Sequence, residues 1–391
     1  MGFLVKMCPF VGILTLLALT ISASDVEFHS SLASFSQNLF SELYKEHGHE
    51  NIIYSPFSIQ SCLAMTRMGA AGETAAEMDR GLAFTGQTAE SVANSYHTLL
   101  AKYEDGKTLK VANKVYVMEH NQLQDDFRET LAQNFFSSPE KVDFEHAQDA
   151  AKTINTWVES KTDNKIKNLI SPSLLGADTR LVLVSAIHFK GMWQIPFPME
   201  YTEDLAFYLN ETNCVKVPTM TTEGLFEQVV LKDLQSHLVR MRYKNSDLSM
   251  VIILPDSRTG LKDLEVKLRN VSLPSFKTQL TLSKLEITMP KFQAEFQMEL
   301  KETLMKMGMK EMFGRADFSK MIKESEPLYI SSVVHKTFIS VNEVGTEAAG
   351  ATGLVATSRS LPRYYTVDHP FYYAVVNEDF VPLFQGTIVH F

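Results

Sequence analysis

Few residues of this 391-residue chain are spaced to do chemistry of their own. There is no Gly-x-Ser-x-Gly elbow, no His-Glu-x-x-His pair, no Cys-x-x-Cys and no glycine-rich phosphate loop. His47 and His49 in "HGHE" stand one residue apart in a polar turn, without further ligands at a recognised metal spacing. The pair with a direction to its chemistry is Arg359-Ser360, at the end of "EVGTEAAGATGLVATSRS". That stretch has glycines at 345, 350 and 353, no aromatic residue, no proline, and only Glu343, Glu347 and Arg359 as charges. It offers recognition rather than catalysis, because it presents one arginine to whatever reads a guanidinium.

The stretch can also change its secondary structure. If residues 346–357 form a strand, side chains alternate faces. One face carries Thr346, Ala348, Gly350, Thr352, Leu354 and Ala356; the other carries Glu347, Ala349, Ala351, Gly353, Val355 and Thr357. The first face is uncharged and mostly small, suited to sliding over a packed core, and the one charge falls on the second. As a resting strand it is poor, since glycine costs backbone entropy and alanine has weak β preference. A surface loop is its expected resting state, and composition alone leaves an ordinary loop open.

The surrounding elements must position this segment. Phe28, Leu32, Phe35, Leu39 and Leu43 recur at helical spacing. "YSPFSIQSCLAMTRMG" reads as a helix started by Ser55-Pro56 and stopped by Gly69. "AAKTINTWVESKTDNKI" and "EFQMELKETLMKMG" are further helix candidates, the second with Phe296, Leu300, Leu304 and Met307 on one face. Strand candidates are "LKVANKVYVM", "RLVLVSAIHFK", "LSMVIILP", "KLEITMPKF", "LYISSVVHKTFISV", "FYYAVV" and "LFQGTIVHF". Helices dominate the first half and strands the second, without regular βαβ alternation. That order predicts an α+β fold with a mostly antiparallel or mixed sheet, in one large domain.

Bulk properties narrow the function. Hydrophobic content of 45 % and charged content of 21 % describe an ordinary globular chain. A net charge of −9 without a basic tract argues against nucleic acid. Lys6, the apolar run "FVGILTLLALTIS" and the small residues near Ala23 and Ser24 read as a secretory signal over 1–23, too short to span a bilayer comfortably. No later run is long enough for a membrane anchor, so a secreted, extracellular protein is expected. With Cys8 in the signal, Cys62 and Cys214 remain. A bond between them is open but not favoured, since Cys62 fits an apolar helix. Asn210 in "NET" and Asn270 in "NVS" are glycosylation sequons.

The longer motifs resemble the serpin family over roughly residues 28–391. "NEVGTEAAGATG" resembles the proximal hinge of inhibitory serpins, and "NIIYSPFSIQSCLAMTRMGAAGETAAEM" their second helix and shutter. "LVLVSAIHFKGMWQIPF" is similar to the central-sheet strand and breach, and "HPFYYAVVNEDFVPLFQGTIVHF" to the C-terminal signature. The resemblance implies one α+β domain with three β-sheets, about nine helices and an exposed reactive-centre loop over 343–362. It implies a serine protease inhibitor, not an enzyme, that works as a suicide substrate and needs no cofactor or metal. The hinge would comprise Glu343, Gly345, Thr346, Glu347, Ala348, Ala349, Gly350 and Ala351.

The same resemblance places the scissile bond at Arg359-Ser360, about sixteen positions past Glu343. Arg363 is the competitor, but cutting there lengthens the tether by four residues. Arginine implies a trypsin-like serine protease as covalent partner. Lys291 and Glu343 match a hinge ion pair, Trp193 the breach tryptophan, and Ser55, Ser58 and His335 the shutter. Ser185 stands where many serpins have asparagine, which leaves the hydrogen bonding of His335 open. The segment matching a heparin-binding helix, "TGQTAESVANSYHTLLAKY", has only Lys102 as a base, so no glycosaminoglycan partner is implied. A monomer is expected. The alternative is a non-inhibitory serpin-fold binding or storage protein, against which the small hinge residues weigh.

Overall fold

The structure is a computed structural model that describes residues 23–48, 50–323, 328–346 and 361–391. Among the described residues there are eight α-helices: α1 (Ala23–His47), α2 (Pro56–Met68), α3 (Gly72–Gly81), α4 (Ala89–Ala101), α5 (Asp125–Phe135), α6 (Ala147–Lys161), α7 (Leu261–Leu268) and α8 (Lys301–Lys306). The strands form two hydrogen-bonded networks. The central one contains β2 (Leu109–Met118), β3 (Glu140–Val142), β4 (Leu181–Phe189), β5 (Gly191–Met192), β11 (Phe292–Glu299), β12 (Ile330–Val341) and β13 (Gly345–Thr346). The other contains β1 (Ile52–Tyr54), β6 (Glu203–Tyr208), β7 (Cys214–Leu231), β8 (Ser236–Arg242), β9 (Ser249–Pro255), β10 (Thr281–Pro290), β14 (Arg363–Thr366), β15 (Phe371–Val376) and β16 (Pro382–Ile388).

This second network is two sheets sharing β7. The first part of that strand pairs with β6 and β10, and its end, Glu227–Leu231, turns to pair with β8. The described residues thus form three sheets with helices packed around them, the number that the family resemblance implies. The mixed character is borne out too: β4 runs parallel to β12, and β10 parallel to β14.

The central sheet is buried on both faces, and β4 shows why a continuous apolar run is needed there. Leu181, Leu183, Ile187 and Phe189 face the main core, while Val182, Val184 and Ala186 face a second core built with Ala150, Ala151, Ile154 and Val158 of α6. The almost wholly buried α2 lies against the main-core face. Ser55 caps it, accepting from the Ser58 amide at 3.0 Å, Pro56 opens its first turn and Gly69 closes it, as the sequence predicts.

One expected helix is corrected. Residues 295–308 do not form a single helix: 292–299 is β11, and helix α8 covers only Lys301–Lys306. Phe292, Ala294 and Met298 also alternate with polar residues, and pairing with β12 over Phe292–Glu299 outweighs the helical spacing. Strands β6 and β7 are not legible as such, because their alternation is broken by residues exposed on both faces.

Candidate functional site

The candidate site is the seam between β4 and β12. The two strands pair directly and in parallel from Leu181↔Ile330 to His188↔Phe338. Above that point the seam is already parted. β12 ends at Val341, the chain reverses through Asn342–Val344, and β13 runs back between β12 and β5, which continues β4. Thr346 pairs with Val341 on one side and Gly191 on the other, and Gly345 faces Met192, all antiparallel.

Only glycine fits at 345. Its φ is +151°, and a Cβ there would lie 1.9 Å from the Gly191 carbonyl oxygen. The reversal is held by its own groups: the Asn342 amide donates to the Gly345 oxygen at 2.9 Å, and the Val344 amide to Asn342 Oδ1 at 3.1 Å.

Trp193 and Glu343 brace this parted end. The Trp193 indole donates to the Asn342 carbonyl at 2.9 Å, and its ring stacks on Tyr243 at 4.6 Å between centroids. Glu343 is buried, and its Oε1 accepts from Lys291 Nζ and Thr202 Oγ1, each at 2.9 Å. Burial pushes its carboxyl pKa up, but the bonds from Lys291 and Thr202 outweigh that and hold it below the usual range. The expected ion pair is therefore formed, and Thr202 joins it as a partner that no motif marks.

Lower on the seam, three strands contribute one polar row. Register places Asn113 of β2 beside Ser185 of β4, and Ser185 beside His335 of β12. All three point towards α2, whose N-terminus supplies Ser55 and Ser58. His335 Nε2 accepts from the Ser55 amide at 3.0 Å, so the proton of the neutral ring sits on Nδ1. From there donation runs one way: Nδ1 to Ser185 Oγ at 2.9 Å, Ser185 to Ser58 Oγ at 2.9 Å, and Ser58 to Asn113 Oδ1 at 2.8 Å. Asn113 closes the loop by donating to the Ser58 carbonyl at 3.0 Å, and Ser55 Oγ donates to Leu383 O at 2.6 Å. Burial drives the His335 pKa down to about 3, against a smaller opposing effect of hydrogen bonding to the Ser185 backbone.

Ser185 thus leaves no gap in the network. The member missed in the sequence is Asn113, whose signal was available: it is the amide inside the apolar run "LKVANKVYVM". A buried amide in a strand needs partners, and here they come from α2.

Residues 30–391 match the family model described as serpin (serine protease inhibitor). The chain belongs to the serpin family. It is 35 % identical to serine protease inhibitor 42Dd of Drosophila melanogaster, over 90 % of this chain and 95 % of that protein. It is 37 % identical to the leukocyte elastase inhibitor of Bos taurus, over 87 % and 93 % respectively. Among solved structures, the cleaved form of Serpin 42Da superposes with a TM-score of 0.87 at 41 % identity, covering 94 % of this chain and all of that one.

In this serpin, Glu343, Gly345, Lys291 and Trp193 come together at the top of the seam, and Ser55, Ser58, Ser185 and His335 at its middle. Thr346 contributes its backbone to β13. Glu347, Ala348, Ala349, Gly350, Ala351, Arg359 and Ser360 lie outside the described residues. Asn210 sits in the turn after β6, its side chain accepting from Thr212 and Asn213, and Asn270 is exposed after α7. Cys62 and Cys214 are both free: Cys62 is buried against the Val184 carbonyl, with its thiol pushed up to about 12, and Cys214 is exposed.

Proposed function

We propose that this serpin is a secreted inhibitor of trypsin-like serine proteases that acts as a suicide substrate, cut between Arg359 and Ser360. The reading rests on one observation: Gly345-Thr346 already runs antiparallel between the upper ends of two strands that are zipped together in parallel below. A segment continuing that course would replace one parallel ladder by two antiparallel ones, which are the more stable kind per residue. About a dozen residues at ~1 kcal/mol net per hydrogen bond gives on the order of 10 kcal/mol, comparable with the stability of a whole domain.

The chemistry is that of an interrupted hydrolysis. The protease serine attacks the Arg359 carbonyl carbon, its histidine takes the serine proton and passes it to the departing Ser360 amine, and an ester to Arg359 remains. Insertion of 346–357 would then pull the tethered enzyme along the sheet before water can cleave the ester. Arg359 suits a pocket with an aspartate at its base. Arg363 is the poorer substrate, since it opens β14 and its backbone lies in register with Leu285. Residues 1–23 are assigned as the secretory signal, and Asn210 and Asn270, both in surface turns, as glycan acceptors on the same reading.

The test is incubation of the purified chain with trypsin, denaturing electrophoresis, and mass analysis of the released peptide. A covalent complex with a peptide beginning at Ser360 is expected. Arg359→Ala should abolish it while leaving the fold intact; undiminished trapping by that variant would move the scissile bond elsewhere.

A further inference from the structure

The chain has 13 tyrosines, all among the described residues, and only two of them are exposed. Tyr201 is 60 % exposed and Tyr364 is 73 % exposed. Their surroundings differ. Tyr364 lies within β14, paired with Glu286 of β10, with Arg363 before it and no acid within three positions on either side. Tyr201 ends the single turn Met199–Tyr201, in the stretch "PFPMEYTEDLAF". Glu200 stands one position before it, and Glu203 and Asp204 two and three after; all three are exposed. Among the described residues β6, which starts at Glu203, pairs with β7 alone, so this segment leads onto a free sheet edge. The same loop braces the parted end of the seam. The Phe197 amide donates to the Glu343 carbonyl at 2.9 Å, and Thr202 Oγ1 donates to the Glu343 carboxylate.

We infer that Tyr201 is a sulfation site, its phenol taking a sulfuryl group from a nucleotide phosphosulfate during passage through the secretory pathway. The inference rests on the reading of residues 1–23 as a secretory signal. The phenolic oxygen forms an ester bond to sulfur, and the bond from sulfur to the donor's phosphate oxygen breaks. The nucleotide bisphosphate leaves with that electron pair, and the phenolic proton passes to a base of the transferase. Charge selects Tyr201 over Tyr364. An enzyme that holds a polyanionic donor against the phenol has a basic cleft. Glu200, Glu203 and Asp204 complement such a cleft, whereas Arg363 opposes it at Tyr364. Access favours the same residue. Two backbone bonds close its turn, Tyr201 to the Pro198 carbonyl at 3.1 Å and Thr202 to the Met199 carbonyl at 3.2 Å, so little structure must open for the segment to lie in a cleft. The product adds a permanent negative charge to the loop that holds Glu343.

The experiment secretes the full chain from cultured animal cells, with and without chlorate, which blocks formation of the phosphosulfate donor. After enzymatic glycan removal, the tryptic peptide 191–216 should carry the added mass of one sulfuryl group, and alkaline phosphatase should not remove it. Peptide 364–391 should carry none. Chlorate and Tyr201→Phe should each abolish the gain. Glu203→Gln combined with Asp204→Asn should lower occupancy about five-fold. The melting temperature of that double variant should match the parent's, which separates lost recognition from a damaged fold. A secreted chain whose peptide 191–216 is unmodified overturns the site, and so does a gain that phosphatase removes. Full occupancy in the double variant overturns the role given to the acids. A chain that never reaches the medium fails the secretory reading, and the sulfation site with it.

Discussion

His335 is fully buried and neutral, with one ring nitrogen accepting from the backbone of Ser55 and the other donating to Ser185. Its folded pKa of about 3 against an ordinary 6.5 has a definite consequence for acid stability. Above pH 6.5 both states are neutral there and the contribution is fully present. Between 6.5 and 3 the unfolded chain takes up a proton that the folded one refuses, so stability falls as pH falls, by up to ~1.4 kcal/mol per unit. Urea unfolding of the parent at pH 7 and pH 5.5 should differ by about 1 kcal/mol from this group. His335→Asn should narrow that difference, and a variant losing as much as the parent would show that the proton goes elsewhere. The residue type was readable in "SSVVHKTF", but its one-way donor chain to Asn113 was not. That chain depends on Asn113, Ser185 and His335 sharing a row across three strands far apart in the sequence.

Among the elements, α2 and β12 were legible from local signals: a Ser-Pro start and glycine stop for the helix, a long β-branched run for the strand. β11 was not, because Phe296, Leu300, Leu304 and Met307 satisfy a helical period while 292–299 also alternates, and only pairing with β12 decides between them. β13 illustrates the same dependence on neighbours. Two residues cannot hold a strand alone, and Gly345-Thr346 is one because β5 and β12 flank it. Continuing its register from Thr346, opposite the core-facing Val341, puts position 348 on the core side of an inserted strand. Ala348→Arg should therefore turn the inhibitor into a plain substrate, since a guanidinium would have to be buried unpaired. The readout is the ratio of cleaved chain to covalent complex after trypsin treatment; a variant that traps as efficiently as the parent would rule out this course for the segment.

At the scale of the whole molecule, the central strands pair directly beneath a parted end, and the proposed insertion predicts a more stable arrangement once the chain is cut. Nicking the chain anywhere in 352–358 should release it even without a trapped protease. About 10 kcal/mol would raise the melting temperature by something on the order of 15 °C for a chain of this length. Calorimetry before and after limited proteolysis measures this directly, and an unchanged transition would mean that insertion is not downhill. The sequence by itself determined the α+β class, the family, the small-residue segment with its Arg359-Ser360 pair, and the residue types of hinge, breach and shutter, because these follow from local composition and ordered motifs. Only the tertiary structure decided that the seam is closed below and parted above, that Ser185 completes the His335 network, and that Thr202 helps hold Glu343. Each of those depends on strand register between distant segments, which is set by the packing of the whole sheet and not by any stretch of it.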